Sequence, residues 1–277
     1  MARNFEKHDL VERSINKKFR KEIWNRFITA VKQYKLISEG DKIAVCISGG
    51  KDSMLLALLM KMLCRHSEMN FDLEFIVMDP GYSPENRQKI ADNASLLDIP
   101  VSFFDSDIFA VAEGADESPC YLCARMRRGH LYAEAQKRGC NKIALGHHMS
   151  DVIETTLMGM MYGSQLQGML PRLKSTNFEE MELIRPLYCI LEEDILRWCD
   201  YNELHFIRCA CRFTELASCD SGASKRLEMK NLIKELKKTN TEIELNIFNS
   251  IHRCHVDTMV GYKQDGVLHS FLERLES

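Results

Sequence analysis

Three clusters of residues in this 277-residue chain have the types and spacings that chemistry needs. The first is Ser48-Gly49-Gly50-Lys51-Asp52-Ser53, set between the apolar run Ile43–Ile47 and an apolar helical stretch from Met54 to about Leu63. A strand that breaks at paired glycines and restarts as a helix binds phosphate. The glycines let the backbone turn sharply and bring N–H groups close to an anion. The new helix adds unpaired N–H groups and the positive end of its dipole. Lys51 supplies a mobile cation, and Ser48 and Ser53 supply hydroxyl donors. The spacing is not that of the Walker loop, which has four residues between its first glycine and Gly-Lys. The second cluster is Cys120-x-x-Cys123 at a helix start, followed by Arg125, Arg127 and Arg128. Soft thiolates select iron–sulfur or zinc over hard cations, and the same spacing also suits a redox dithiol. A zinc ribbon needs a second such pair nearby; the next cysteines are Cys209 and Cys211 instead. Two plus one thiolates would hold a 4Fe–4S cluster and leave one iron open to an external sulfur atom, with either Cys209 or Cys211 as the third. The third cluster is Gly146-His147-His148-Met149-Ser150-Asp151, with Glu154 and Thr155 one helical turn on.

The elements that must position these residues follow from the hydrophobic pattern. Residues 1–40 are expected to be helical, because Ile15, Phe19, Ile23, Phe27 and Val31 recur every four residues; Lys17, Lys18, Arg20, Lys21 and Arg26 make this segment basic. Strands are expected at 43–47, 72–78, 101–104 and 142–145, with a last short one at 204–208. Helices are expected after the glycine loop, from Pro84 to about Leu97, from the paired cysteines to about Lys137, after the His-His turn, and over 192–202. Strands alternating with helices indicate an α/β fold, a parallel sheet with helices on both faces. Ligands in such sheets sit beyond the carboxyl ends of the strands, where Ser48, Asp79 and Asp105 fall; taken alone, each aspartate is an ordinary turn former. Gly163–Pro171 should be a flexible loop. Lys225–Lys238 should be a basic helix and 243–252 a final helix, before a weakly patterned tail. The expected organisation is an N-terminal helical extension at 1–40, a catalytic domain at 41–212 and a C-terminal helical extension at 213–277.

Composition narrows the class. No apolar run reaches the length of a membrane span, and the polar, charged N-terminus is no secretory signal. A cytoplasmic location without membrane contact is expected. Eleven cysteines, an odd count, argue against a disulfide framework. Cys46, Cys64, Cys140, Cys189 and Cys199 sit in apolar or helical surroundings and fit the role of small core hydrophobes. A net charge of −3 gives no global pull toward nucleic acid, so RNA binding must use local basic patches.

SGGKDS after a buried strand resembles the PP-loop of ATP pyrophosphatases, which cut ATP between the α and β phosphates and adenylate a substrate. With C-x-x-C and RRG at 120–129, GHHxxDxxET at 146–155, MLPRL at 169–173, IRPL at 184–187 and DPGYSPENRQ at 79–88, the chain resembles the TtcA family, the tRNA 2-thiocytidine synthetases. The resemblance covers about Gly40 to Cys211. It implies the PP-loop fold (adenine nucleotide α hydrolase-like, Rossmann-like), and ATP, Mg²⁺ and a 4Fe–4S cluster. It implies replacement of the C2 oxygen of an anticodon-loop cytidine in tRNA by sulfur. Carried over by motif, Ser48, Gly49, Gly50, Lys51, Asp52 and Ser53 would hold the phosphates and Mg²⁺. The backbone near Val77 and Met78 would meet adenine, with Gly146 and His147 nearby. Lys51, Asp52, Arg127 and Asp151 would be catalytic, Arg127 steadying the adenylate. Cys120 and Cys123 would be cluster ligands with Cys209, or Cys211 as the alternative. Ser150 and Gly159 depart from the family pattern, which has aspartate and asparagine there. Arg125, Arg128, Arg172, Lys174, 225–238 and the basic N-terminal helix are candidate RNA phosphate contacts. Sulfide or a cysteine-desulfurase-type protein would supply sulfur, and a homodimer is compatible with the sequence. The alternatives are thiolation of another base such as uridine, or a cluster-dependent RNA-binding sensor without turnover.

Overall fold

The computed structural model describes residues 5–106, 119–207 and 221–276, with the backbone alone at 119–125 and 221–224. Strands β1 (Lys42–Ile47), β2 (Asp72–Asp79), β3 (Val101–Asp105), β4 (Lys142–Ala144), β5 (Arg172–Lys174) and β6 (Glu182–Ile184) form one sheet in the order β3-β2-β1-β4-β6-β5. Its pairings are parallel except β5 with β6. The helices are α1 (Lys7–Asn16), α2 (Asn25–Gln33), α3 (Lys51–His66), α4 (Pro84–Leu96), α5 (Pro119–Lys137), α6 (Met149–Gly163), α7 (Glu192–Tyr201), α8 (Ser221–Lys237) and α9 (Ile243–Ser250). After β3 the chain crosses to the other side of β1 to make β4. Strand order therefore reverses between β1 and β4, and the ends of those two strands open the crevice where α/β folds bind ligands.

Both faces of the sheet are covered, so its strands are apolar throughout rather than alternating. Ile43, Val45 and Ile47 face the layer containing α3, while Ala44 and Cys46 pack with Tyr132, Ala135 and Ile143 on the other side. Helix α3 is buried from Ser53 to Met62, which is why its sequence is hydrophobic all round. Its one buried charge, Lys61, caps the end of α4 by donating to the carbonyls of Leu97 (3.0 Å) and Asp98 (2.7 Å).

The four-residue spacing near the N-terminus is longer than an α-helical turn, so each step would drift about 40° around an ideal helix. A π-helical turn at Arg20–Trp24 absorbs that drift. The Phe19 N–H reaches the Ser14 carbonyl (3.0 Å), and Ile15, Phe19, Ile23 and Phe27 remain buried on one face. Three local expectations change. Residues 204–207 form no strand: Phe206 stacks on Trp198, with ring centroids 6.3 Å apart, and Ile207 packs over the start of α3 rather than along a sheet edge. Residues 172–174, expected only as basic positions, form the antiparallel edge strand. The tail contains a hairpin, β7 (Gly261–Gln264) with β8 (Val267–Ser270), whose turn residues Asp265 (φ 51°) and Gly266 (φ 85°) both adopt positive φ. Asp-Gly is a strong signal for that turn.

Candidate active site

The phosphate loop is built by the end of β1 and the start of α3. Gly49 has φ +84°, and a β-carbon there would lie 2.5 Å from Ile90 and 2.7 Å from Ile207. The position needs glycine for both backbone angle and space. Ser53 ties the loop together: its Oγ accepts from the Ser48 N–H (3.1 Å) and donates to the Gly50 carbonyl (2.9 Å). The turn after β4 meets the loop through Gly146, where a β-carbon would lie 3.1 Å from the Ser53 nitrogen and 3.2 Å from the Asp52 carbonyl carbon. His148 then caps α6: its N–H donates to Asp151 (3.0 Å), and its Nδ1 accepts from the Asp151 N–H (3.3 Å).

These two turns and α5 enclose a cavity of about 550 Å³, within the range of small-molecule sites. Of the residues expected at the site, Ser48, Asp52, Ser53, Met78, Arg127, Gly146, His147 and Asp151 line it. Gly49, Gly50 and Lys51, between Ser48 and Asp52 in the loop, are not among its lining residues. Arg127 donates to the Tyr82 hydroxyl (3.2 Å) across the cavity. Burial, with Arg185 nearby, lowers the His147 pKa to about 4, so the ring is neutral at physiological pH. Burial likewise lowers Arg185 to about 10. Asp79 makes the turn expected of it, accepting from the N–H groups of Gly81 (2.9 Å) and Tyr82 (2.7 Å) and pairing with Arg87.

Beside the loop a chain of charged side chains runs from Asp52 through Lys51 round to Asp151, and His148 closes it. Lys51 Nζ lies 2.9 Å from Glu192 Oε1, and Glu192 Oε2 lies 2.8 Å from Lys230. Lys230 reaches Glu154 (3.7 Å), Glu154 reaches Arg226 (3.6 Å), and Arg226 donates to Asp151 Oδ1 (3.0 Å). Asp151 faces His148 (3.4 Å), His148 faces Asp52 (3.7 Å), and Asp52 returns to Lys51 (3.1 Å). Burial opposes the charge on Lys51, but Asp52 and Glu192 outweigh it and raise its pKa. Burial also opposes the charge on Glu192, and the bonds from Lys230 and Lys51 bring it down to about 2. Glu154 is buried more deeply than its cations can offset, and its pKa rises to about 7. Glu192, Arg226 and Lys230 were not among the site residues expected from sequence. Arg226 and Lys230 fell in a stretch assigned to RNA, where they are instead paired with carboxylates.

The site's fit to a nucleotide and a metal can be tested on its own atoms. Asp52 Oδ1 is buried and has no hydrogen-bond partner among the described residues. Asp52 and Asp151 line the same cavity. Two carboxylates are the protein donors that Mg²⁺ bridging to phosphates uses. Cys120 and Cys123 lie near the start of α5. Cys209 and Cys211 lie outside the described residues. Among the described residues there is no group of three or more His, Cys, Asp or Glu placed to hold a metal by themselves. Cys46, Cys140, Cys189 and Cys199 are buried free thiols, and burial raises the pKa of each. Of the two departures, the Ser150 hydroxyl accepts from the Glu192 N–H (3.1 Å). Gly159 lets the carbonyl of Gln165 approach to 3.0 Å of where a β-carbon would stand.

A glycine loop and helix start after the central strand, facing a second turn at the switch point, define a PP-loop protein; the family model described as a PP-loop domain matches residues 15–211. The tRNA-cytidine(32) 2-sulfurtransferase of Geotalea daltonii is 36% identical over 234 residues, covering 83% of this chain and 90% of the relative. That of Paraburkholderia xenovorans is 33% identical over 255 residues, covering 90% of this chain and 73% of the relative. The chain belongs to the family of tRNA-cytidine(32) 2-sulfurtransferases. Among solved structures, the U34-tRNA thiolase NcsA from Methanococcus maripaludis, with its 4Fe–4S cluster, matches with a TM-score of 0.66 at 21% identity, covering 87% of this chain and 80% of that one; the likeness establishes the shared fold. No helix of the described residues is long and apolar enough to cross a membrane.

Proposed function

We propose that this chain is an ATP-dependent tRNA thiolase that adenylates the C2 oxygen of an anticodon-loop cytidine and replaces it with sulfur, releasing AMP and pyrophosphate. The observation that carries the reading is the meeting of the phosphate loop and the β4 turn over one cavity, with Asp52 and Asp151 facing into it. Loop N–H groups, Ser48 and Ser53 would hold the polyphosphate. The backbone near Met78, with Gly146 and His147, would form the adenine side. Asp52 and Asp151 would hold Mg²⁺, which neutralises phosphate charge when bound. Lys51 would leave Glu192 for the departing pyrophosphate, a cation aimed where charge develops. Attack by the base oxygen on the α-phosphorus forms the O–P bond and breaks the bond to the β-phosphate oxygen. Arg127, opposite the loop, would then steady the adenylate. Neutral His147 adds no second cation and keeps its ring available for hydrogen bonding.

Cys120, Cys123 and Cys209, with Cys211 as the alternative, would hold a 4Fe–4S cluster. When bound, such a cluster would supply the sulfur that replaces the adenylated oxygen as AMP leaves. Two features support this set. Helix α5, which begins with Cys120 and Cys123, also lines the cavity through Arg127 and Arg128. Ile207, two residues before Cys209, packs against Gly49 of the phosphate loop. The organisation proposed at 1–40, 41–212 and 213–277 assigns this chemistry to the central part. The reaction belongs in the cytoplasm, with sulfide, or a desulfurase persulfide together with a thiol reductant, as the sulfur source.

Anaerobic reconstitution with iron and sulfide, followed by mass spectrometry of nucleosides from tRNA incubated with ATP, tests the reading. Thiocytidine is the expected product, with AMP release stimulated by tRNA. Thiouridine would move the substrate assignment, and no thiolated base would remove the function.

A further inference from the structure

Arg226 reaches the cavity from an element that follows the PP-loop part of the chain. It stands on α8, four residues before Lys230, so both point from one face of that helix toward the ends of β1 and β4. Its guanidinium lines the same cavity as Ser48, Asp52 and Ser53, with its Nη1 3.0 Å from Asp151 and its Nε 3.6 Å from Glu154. The PP-loop's own cation, Lys51, is not among the lining residues and is paired with Glu192. A polyphosphate brings several negative charges to a cavity already lined by Asp52 and Asp151. Once Asp151 turns to a metal, Arg226 keeps only the longer contact to Glu154 while remaining on the cavity wall. Arginine's planar fork is suited to phosphate oxygens in that position.

We propose that Arg226 is an ATP-binding residue, delivered by α8 to the β- and γ-phosphates on the side opposite the phosphate loop. The inference rests on the ATP-dependent reading of the site and deepens it. It also explains why α8 carries a basic face paired with Glu154, Glu192 and Glu193 rather than an open one. Before nucleotide binds, those carboxylates hold the cations in place. Phosphate exchanges for carboxylate at Arg226 without moving the helix.

The test compares ATP and AMP binding to the full chain by calorimetry in the presence of Mg²⁺. Arg226→Gln should weaken ATP by about ten- to a hundred-fold, the range for a lost charge-assisted bond. AMP, which lacks the β- and γ-phosphates, should bind as to wild type. Arg226→Lys should recover part of the ATP affinity, and tRNA affinity should be unchanged in both variants. Equal weakening of ATP and AMP would assign Arg226 a structural role and overturn the proposal. Unchanged ATP binding, or a loss confined to tRNA, would overturn it as well. If Arg226→Gln does not fold, the ATP-to-AMP affinity ratio of Arg226→Lys decides: a ratio equal to wild type refutes the contact, and a reduced one supports it. Wild-type protein that does not bind ATP would bring down the ATP reading itself, and the inference with it.

Discussion

Asp52 has one carboxylate oxygen committed and one waiting. Oδ2 accepts from Lys51 at 3.1 Å, while Oδ1 is buried, 3.7 Å from His148 Nε2 and without a hydrogen-bond partner among the described residues. Leaving a buried acceptor unpaired costs about 1–3 kcal/mol, a cost that a bound cation at the cavity would remove. Asp52→Asn should therefore reduce AMP formation by about 10²–10³-fold, the scale of a lost electrostatic stabiliser, with little loss of melting temperature. Cleavage that survives the substitution would refute the PP-loop reading. Glu192 makes a second prediction, about pH. Its pKa is held at about 2 in the folded chain, below the ordinary 4.5. The unfolded chain thus takes up this proton first as pH falls. The stability Glu192 contributes is complete above about pH 4.5 and is lost as pH falls toward 2. In Glu192→Gln, urea titrations across that window should show a shallower acid loss than wild type.

Among the elements, the turn between β1 and α3 has the least tolerance. Gly49→Ala forces an L side chain into φ +84° and against Ile90 and Ile207. It should cost about 1–3 kcal/mol by denaturant titration and displace the loop from its phosphate geometry, so ATP affinity should fall in the same variant. This turn was legible in the sequence because strand, break and helix are written in adjacent residues. So were β2, β3, β4 and the helices that follow them, where an apolar run ends at glycine, proline or aspartate. The π-helical turn was present in outline, as a spacing of four that an α-helix cannot keep. Residues 204–207 misled because Phe206 and Ile207 are β-like residues buried against Trp198 and the loop rather than in a sheet. The charge ring was not legible at all. Lys51 and Glu192 are 141 positions apart and Asp151 and Arg226 are 75 apart. No local period records such pairs. Three acids opening α7 signal only a helix start, and a basic helix has the same sequence whether its lysines meet RNA or carboxylates.

At the scale of the whole molecule, this pairing decides which surface remains for tRNA. Arg172 is spent on Glu182 (2.9 Å) and the Lys35 carbonyl (2.6 Å), Arg226 and Lys230 on the ring, and Lys237 on Glu193 (3.0 Å). Lys17, Arg20 and Lys21 remain exposed at the N-terminal helices. Each phosphate contact contributes about 0.7–0.9 to the slope of log affinity against log salt. Replacing Lys17 and Lys21 together by Gln should flatten that slope by about 1.5 in filter-binding titrations, whereas Arg172→Gln should leave it unchanged and weaken the β5–β6 edge instead. The missing β-carbon of Gly146 has a consequence for motion. With backbone packed on backbone at Ser53, the phosphate loop and the β4 turn have no side-chain cushion between them and cannot slide past one another. They behave as one anvil. Breathing of the site as nucleotide enters and pyrophosphate leaves then falls to the side chains laid over that cleft, and turnover is timed at the rim rather than at the floor.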